Sequence, residues 1–185
     1  MRTEPGFVIW LTGVPCSGKS TLAEAVAARL RSAAVSALTG GLEVLDGDEF
    51  RRELGHELGF SRQHRDVNVQ RLGYVAGLLA RNGTSVIVAA VSPYRAARDA
   101  VRARIPRFIE VYVYCPSAVC EQRDVKGMYA KARAGGISNF TGVSDPYEPP
   151  ENAELMIDTS TVSVPEAVSR ILAVVEASTR GEASG

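Results

Sequence analysis

Gly13-Val14-Pro15-Cys16-Ser17-Gly18-Lys19-Ser20 places a glycine, a second glycine, a lysine and a hydroxyl at the spacing G-x-x-x-x-G-K-[ST]. Each type has a job in phosphate chemistry. The glycines let backbone N–H groups turn inward around phosphate oxygens, and a helix starting there adds partial positive charge. Lys19 is expected to reach the β- and γ-phosphates, and the Ser20 hydroxyl to ligate Mg²⁺. The motif counts as a site only between a strand and a helix. That context is present: Phe7 to Leu11 is apolar and runs in, and an alanine-rich stretch runs out. The expected nucleotide contacts are Gly13, Val14, Pro15, Cys16, Ser17, Gly18, Lys19, Ser20 and Thr21, and the expected nucleotide is ATP with Mg²⁺.

Phosphoryl transfer also needs an acid near the metal and the attacking hydroxyl. The run Ser85 to Val91 leads into Ser92-Pro93 and offers none, whereas Leu42 to Leu45 leads into Asp46-Gly47-Asp48. Ligands of open α/β sheets gather at the carboxyl ends of strands. Asp46 and Asp48 are therefore the candidates, and Asp48 is favoured to orient or deprotonate an acceptor hydroxyl and to touch Mg²⁺ through water. No Asn-Lys-x-Asp guanine-reading motif occurs. A GTPase switch is disfavoured, and a small-molecule kinase is expected.

The elements that must hold these groups follow from periodicity. Phe7–Leu11, Leu42–Leu45, Ser85–Val91, Phe108–Tyr114 and a weak run at Leu155–Ile157 read as strands, mostly buried on both faces. Leu22, Val26 and Leu30 form a helical stripe, as do Leu72, Val75, Leu78 and Leu79, with Gly83 as a stop; Pro165 opens a last helix through Ile171 and Val175. Alternating strands and helices predict an α/β fold. The specific expectation is a P-loop NTPase fold: a five-stranded parallel sheet, helices on both faces, and a lid of about residues 123–150. One domain accounts for 185 residues, and residues 180–185 are expected to fray.

Composition excludes other classes. Lys plus Arg and Asp plus Glu both number 21, so no basic excess marks a nucleic-acid coat. No apolar run approaches a membrane span, and the N-terminal run is too short for a secretory signal, so a cytoplasmic location is expected. Cys16, Cys115 and Cys120 lack metal-type spacing and are expected to be reduced thiols.

Arg51, Arg65, Arg71, Arg95 and Arg98 cluster after the second and third strands, where guanidinium forks suit phosphate or sulfate oxygens. Phe60 and Phe140 offer rings for a base. His56 and His64 are expected at the surface. Residues 128–150 are long, polar and turn-rich, with Gly135-Gly136, Pro146, Pro149 and Pro150, yet keep Phe140 and Tyr147. Such a stretch in a compact domain is usually functional.

Together these blocks resemble the adenylyl-sulfate kinase family. The likeness is carried by Leu45-Asp46-Gly47-Asp48 with Arg51, Gly59-Phe60-Ser61 with Arg65, Asn68 and Arg71, and Ser92-Pro93-Tyr94-Arg95 with Arg98. It continues through Phe108 to Val113, Lys126-Gly127, Lys131 to Gly135, Asn139-Phe140-Thr141-Gly142 and Pro146-Tyr147-Glu148. It implies transfer of the ATP γ-phosphoryl group to the 3′-hydroxyl of adenosine 5′-phosphosulfate. Implied roles are catalysis by Lys19, Asp46, Asp48 and Ser92, with Ser20 and Asp48 at the metal. The acceptor would be held by Asp46, Asp48, Arg51, Phe60, Arg65, Asn68, Val91, Ser92, Lys126, Phe140, Thr141 and Gly142. Arg123 would lie near the ATP base, and Ser92 would contact the acceptor while transfer runs directly in line, since no base neighbours it in sequence. A homodimer and a sulfate adenylyltransferase partner are also implied. The chain departs from the family pattern at Tyr114-Cys115, His64 and Gly136. These departures keep two other readings open: a kinase for another alcohol, and a silent nucleotide-binding regulator.

Overall fold

A computed structural model describes residues 4–32, 40–124 and 127–180. Lys126, much of the connection at residues 33–39 and the tail at 181–185 lie outside the described residues. Five parallel strands form one sheet in the order β2-β3-β1-β4-β5: β1 (Val8–Thr12), β2 (Leu42–Asp46), β3 (Ser85–Ala90), β4 (Phe108–Tyr114) and β5 (Leu155–Asp158). All five expected strands are present. Helix α1 (Lys19–Ser32) follows β1, α3 (Arg62–Arg81) precedes β3, and α7 (Val164–Arg180) closes the described chain, with Pro165 in its first turn.

The unbroken apolar run of the first strand is explained by what lies on each face. Phe7, Ile9 and Leu11 face α1 and α7, where they pack with Leu22, Val26, Leu30, Ile171 and Val175. Val8 and Trp10 face the other way, against Leu72 and Ala76 of α3 and Val101 of α4 (Arg95–Arg102). Each such side chain contributes about 1.5–3 kcal/mol on full burial, so both layers are anchored to β1. Strands β2 and β5 are the exceptions to two-sided burial: both are edge strands and only partly buried. Leu78, counted with the α3 stripe by spacing, is 38% exposed and does not join the core.

Four short helices escaped periodicity: α2 (Gly47–Leu54), α4, α5 (Ser117–Gln122) and α6 (Met128–Arg133). They run only six to eight residues, too short to show a stripe. The segment after β4 builds a small core of its own, with Cys115, Cys120, Tyr129, Ala132 and Phe140 packed together and Val14 and Cys16 against them. Among the described residues, no helix is long and apolar enough to cross a membrane.

Candidate active site

The phosphate loop is formed by close approach of backbone to backbone. A β-carbon at Gly13 would meet the Val113 carbonyl oxygen at 2.3 Å and Ser17 Oγ at 2.9 Å. Neither a strand carbonyl nor the loop can yield that much, so Gly13→Ala is expected to destabilise the fold by about 2 kcal/mol or more. A urea melt of the variant measures it; an unchanged midpoint contradicts this packing. Gly18 and Cys16 both take positive φ, 99° and 60°, which turns the chain into α1.

Inside the loop, Lys19 is 9% exposed. Its Nζ donates to the Val14 carbonyl at 2.7 Å and to Ser17 Oγ at 3.4 Å. Burial lowers its pKa from 10.5 to about 8, against smaller upward pulls led by Asp48. The sign has two consequences. The unfolded chain holds this proton up to its ordinary pKa, so the buried ammonium penalises the free protein below pH 8 and the penalty fades as pH rises toward 10.5. A polyanion reverses the shift by favouring the charged form. Triphosphate binding is therefore expected to take up a proton at pH 8.5 and to weaken above pH 8 by up to about tenfold per unit. Calorimetry in buffers of different ionisation enthalpy reads this directly; proton release on binding contradicts it.

The acids after β2 come to the mouth of the same loop. Ser20 Oγ donates to Asp46 Oδ2 at 2.8 Å, and Asp46 Oδ1 accepts from the backbone N–H groups of Asp48 and Glu49, at 2.9 and 3.2 Å. Asp46 is thus the N-cap of α2 and the link to α1. Asp48 is exposed in the first turn of α2 and acts electrostatically on both Lys19 and Arg51. The neighbouring hydroxyl and carboxylate oxygens of Ser20 and Asp46 form a donor set suited to a hard cation. Among the described residues no group of three or more His, Cys, Asp or Glu could hold a metal ion. Such a set fits Mg²⁺, which keeps most of its shell as water and phosphate oxygen.

The five arginines divide. Arg51 and Arg65 flank the exposed ring of Phe60, with guanidinium carbons 5.0 and 5.5 Å from its centroid. Arg51 donates to the Gly59 carbonyl at 2.9 Å, and Arg65 to the Phe60 carbonyl at 3.0 Å and to the Asn139 carbonyl. Burial lowers the pKa of both, and the charge of Arg65 lowers Arg51 further. Two desolvated like charges beside one another favour an anion between them. The remaining three are spent elsewhere, which corrects their reading as a set. Arg71 pairs with Glu57, Arg95 with Glu151, and Arg98 with buried Glu110. His64 is also not a plain surface residue, because its Nδ1 accepts from the Gly59 N–H at 2.9 Å and shapes the turn that presents Phe60.

Asn68 and Thr141 are 7% and 1% exposed, and each keeps a buried side-chain oxygen with no hydrogen-bond partner. Gly142 lies against Val14 of the phosphate loop. Phe140 is 4% exposed and packs edge-on to Tyr129 at 5.0 Å, in the small core after β4. Val91 is half-buried and its carbonyl accepts from Thr12 Oγ1 at 2.9 Å. Ser92 is 3% exposed with φ 38°. Its Oγ accepts from Trp10 Nε1 at 3.0 Å and donates to Thr12 Oγ1 at 3.0 Å; no carboxylate or imidazole stands among these partners.

Several contacts were not anticipated. Thr159 Oγ1 donates to the Ser17 carbonyl at 2.8 Å, while Arg123 donates to Thr159 Oγ1 and to its carbonyl, at 3.0 and 2.8 Å. Arg123 is thus tied to the phosphate loop through the residue following β5. The Tyr129 hydroxyl donates to the Pro15 carbonyl at 3.0 Å, and the Tyr147 and Thr12 hydroxyls lie 2.9 Å apart. Long-range hydroxyl contacts of this kind leave no mark in sequence spacing; the one available signal for Thr159 is that it directly follows a strand, where ligands of open α/β sheets gather.

Comparison with known proteins agrees with this geometry. The family model for adenylylsulphate kinase matches residues 5–158. An adenylyl-sulfate kinase of Gloeothece citriformis is 52% identical over 169 residues, 91% of this chain and 93% of that protein. A "Probable bifunctional SAT/APS kinase 2" of Sorangium cellulosum is 50% identical over 171 residues; these are 92% of this chain but only 29% of that protein. The structure of the Mycobacterium tuberculosis APS kinase CysC in complex with AMPPNP and APS matches with a TM-score of 0.86 at 39% identity, covering 94% of this chain and 99% of that one. Loop, acids, guanidinium pair and whole-chain likeness converge: this chain belongs to the adenylylsulphate kinase family.

Proposed function

We propose that the chain is an adenylyl-sulfate kinase, moving the ATP γ-phosphoryl group to the 3′-hydroxyl of adenosine 5′-phosphosulfate and yielding 3′-phosphoadenosine 5′-phosphosulfate. The observation that carries this is the 2.8 Å bond between Ser20 and Asp46, which sets the acids after β2 at the mouth of the phosphate loop. Residues 13–21 hold the triphosphate, and Lys19 neutralises charge that grows on the transferred group. Ser20 and Asp46, with Asp48 through water, hold Mg²⁺, which when bound screens the phosphate oxygens. Asp48 orients the acceptor hydroxyl and takes its proton.

Arg51 and Arg65 bind the phosphosulfate, and Phe60 stacks on the acceptor base with Phe140 as its counterpart. Asn68 and Thr141 supply their unpartnered oxygens, and Val91, Gly142 and Lys126 complete the acceptor contacts. Arg123 borders the ATP base. Ser92 shapes the acceptor floor through its hydroxyl network, and transfer is direct rather than through a phosphoserine. The working assembly is a homodimer in the cytoplasm beside a sulfate adenylyltransferase, a pairing that the bifunctional relative motivates.

Turnover with Mg²⁺-ATP is the test, comparing adenosine 5′-phosphosulfate with adenosine 5′-phosphate and a panel of sugars and small alcohols. The expected result is preference for the phosphosulfate, since burial lowers the pKa of both Arg51 and Arg65 and an acceptor lacking the second anion relieves less of that cost. A better unsulfated alcohol overturns the reading.

A further inference from the structure

Arg98 and Glu110 are 1% and 2% exposed, a charge pair in the middle of the fold. Arg98 Nε donates to Glu110 Oε1 at 2.8 Å, and Arg102 Nη2 donates to Glu110 Oε2 at 3.2 Å. A buried pair adds little net stability compared with apolar side chains of the same volume. What an apolar side chain cannot supply is the rest of the fork. Arg98 Nη1 donates to the Ser92 carbonyl at 2.6 Å, and Nη2 to the Glu148 carbonyl at 2.7 Å.

Those carbonyls belong to two segments that meet at the acceptor side. Ser92 follows β3 and holds φ 38°. Glu148 lies in the strap at residues 145–149, which is laced to the same loop: the Glu148 N–H donates to the Pro93 carbonyl at 2.8 Å, and Glu148 Oε2 accepts from the Arg95 N–H at 2.8 Å. The strap then reaches both halves of the site. Asp145 accepts from the Tyr94 hydroxyl at 2.7 Å and lies 3.8 Å from Arg65. Tyr147 meets Thr12, the residue before Gly13, and stacks on Tyr112 at 5.6 Å.

We propose that Arg98 is a positioning residue for the acceptor: its buried guanidinium clamps the Ser92 and Glu148 carbonyls and so sets the strap that aligns Arg65 with the loop after β3. It touches no substrate. The inference rests on the assignment of the acceptor side to Arg51 and Arg65.

Arg98→Lys keeps the charge for Glu110 but cannot present a planar fork to two carbonyls. Its KM for adenosine 5′-phosphosulfate is expected to rise about tenfold, the weight of one charge-assisted hydrogen bond, with KM for ATP within about twofold. Tyr147→Phe loosens the other end of the strap. Its effect on the same KM, combined with Arg98→Lys, should be less than the product of the two, because both act on one element. Hydrogen exchange at the Glu148 amide should quicken in Arg98→Lys whatever the acceptor. A variant with both KM values and that exchange rate unchanged overturns the proposal, as does a loss confined to kcat and melting temperature. If the lysine variant does not fold, Arg98→Met with Glu110→Gln removes the buried charges together, and the same KM split is required of it. Quickened exchange in a protein that ignores the phosphosulfate sinks the activity assignment while the clamp stands; normal use of the phosphosulfate with unmoved KM and exchange sinks the clamp.

Discussion

Lys19→Met lowers turnover with Mg²⁺-ATP on the order of 10²–10³-fold, the loss seen when one preorganised donor to a developing anion is removed. The free protein prepares that donor at a thermodynamic disadvantage. The ammonium is buried, its hydrogen-bond partners are a carbonyl and a hydroxyl, and its pKa sits at about 8. A group held this way is stabilised when the triphosphate arrives and is worth most as charge builds on the transferred group. The same reasoning fixes the effect on stability. Methionine fills the stem without the buried charge, so the melting temperature of the free variant at pH 7 should stay level or rise. A variant that loses activity together with several degrees of stability would assign Lys19 a structural role instead. Full turnover in a folded variant would remove the loop from the chemistry altogether.

Asp48→Asn is expected to lower kcat on the order of 10²–10⁴-fold, the range for a positioned proton acceptor, with ATP affinity changed by less than about threefold. Asp48 is exposed and starts α2, so the amide is accommodated without repacking. Asp46→Asn should behave differently. Asparagine still caps α2, since its one oxygen accepts from the same backbone N–H groups, while its NH₂ takes the place of the oxygen facing Ser20 and donates to that hydroxyl instead. What it loses is charge at the oxygen pair suited to Mg²⁺. Its signature is therefore a raised Mg²⁺ requirement with a smaller fall in kcat at saturating metal. Stopped-flow turnover across a Mg²⁺ series separates the two variants. A silent Asp48→Asn beside a crippled Asp46→Asn would exchange the roles.

Legibility tracked the range over which each signal acts. Strand β1, the loop and α1 could be read because apolar run, glycine spacing and helical stripe are consecutive. Asp46 and Asp48 could be read because a rule about strand ends places them without knowledge of the partner strand. Arg98 could not. Its type and spacing match an anion ligand, and only the pairing of β1 with β4 brings Glu110 beneath it. Arg71 and Arg95 were obscured in the same way by Glu57 and Glu151. Tyr147 stood out as an aromatic in a polar stretch and Tyr129 did not, and the hydroxyl partners of both, Thr12 and Pro15, are more than a hundred residues away. Thr159 carries no chemical signature at all, yet it joins Arg123 to the phosphate loop.

Departures from the family pattern fall where the structure can absorb them. Cys115 is buried against Cys120, and burial pushes the Cys120 thiol up to about 12, so it stays protonated and unreactive at neutral pH. His64 occupies a turn-shaping place rather than a ligand position. Gly136 is exposed, and its N–H donates to the Lys131 carbonyl at 2.8 Å.

The most direct test of the central claim is a crystal structure with Mg²⁺, a non-hydrolysable ATP analogue and adenosine 5′-phosphosulfate bound together. The expected result is the acceptor 3′-oxygen within about 3 Å of an Asp48 carboxylate oxygen, on the line to the γ-phosphorus, with Arg51 and Arg65 on the phosphosulfate. An acceptor seated with its 3′-hydroxyl away from both Asp46 and Asp48 would contradict it.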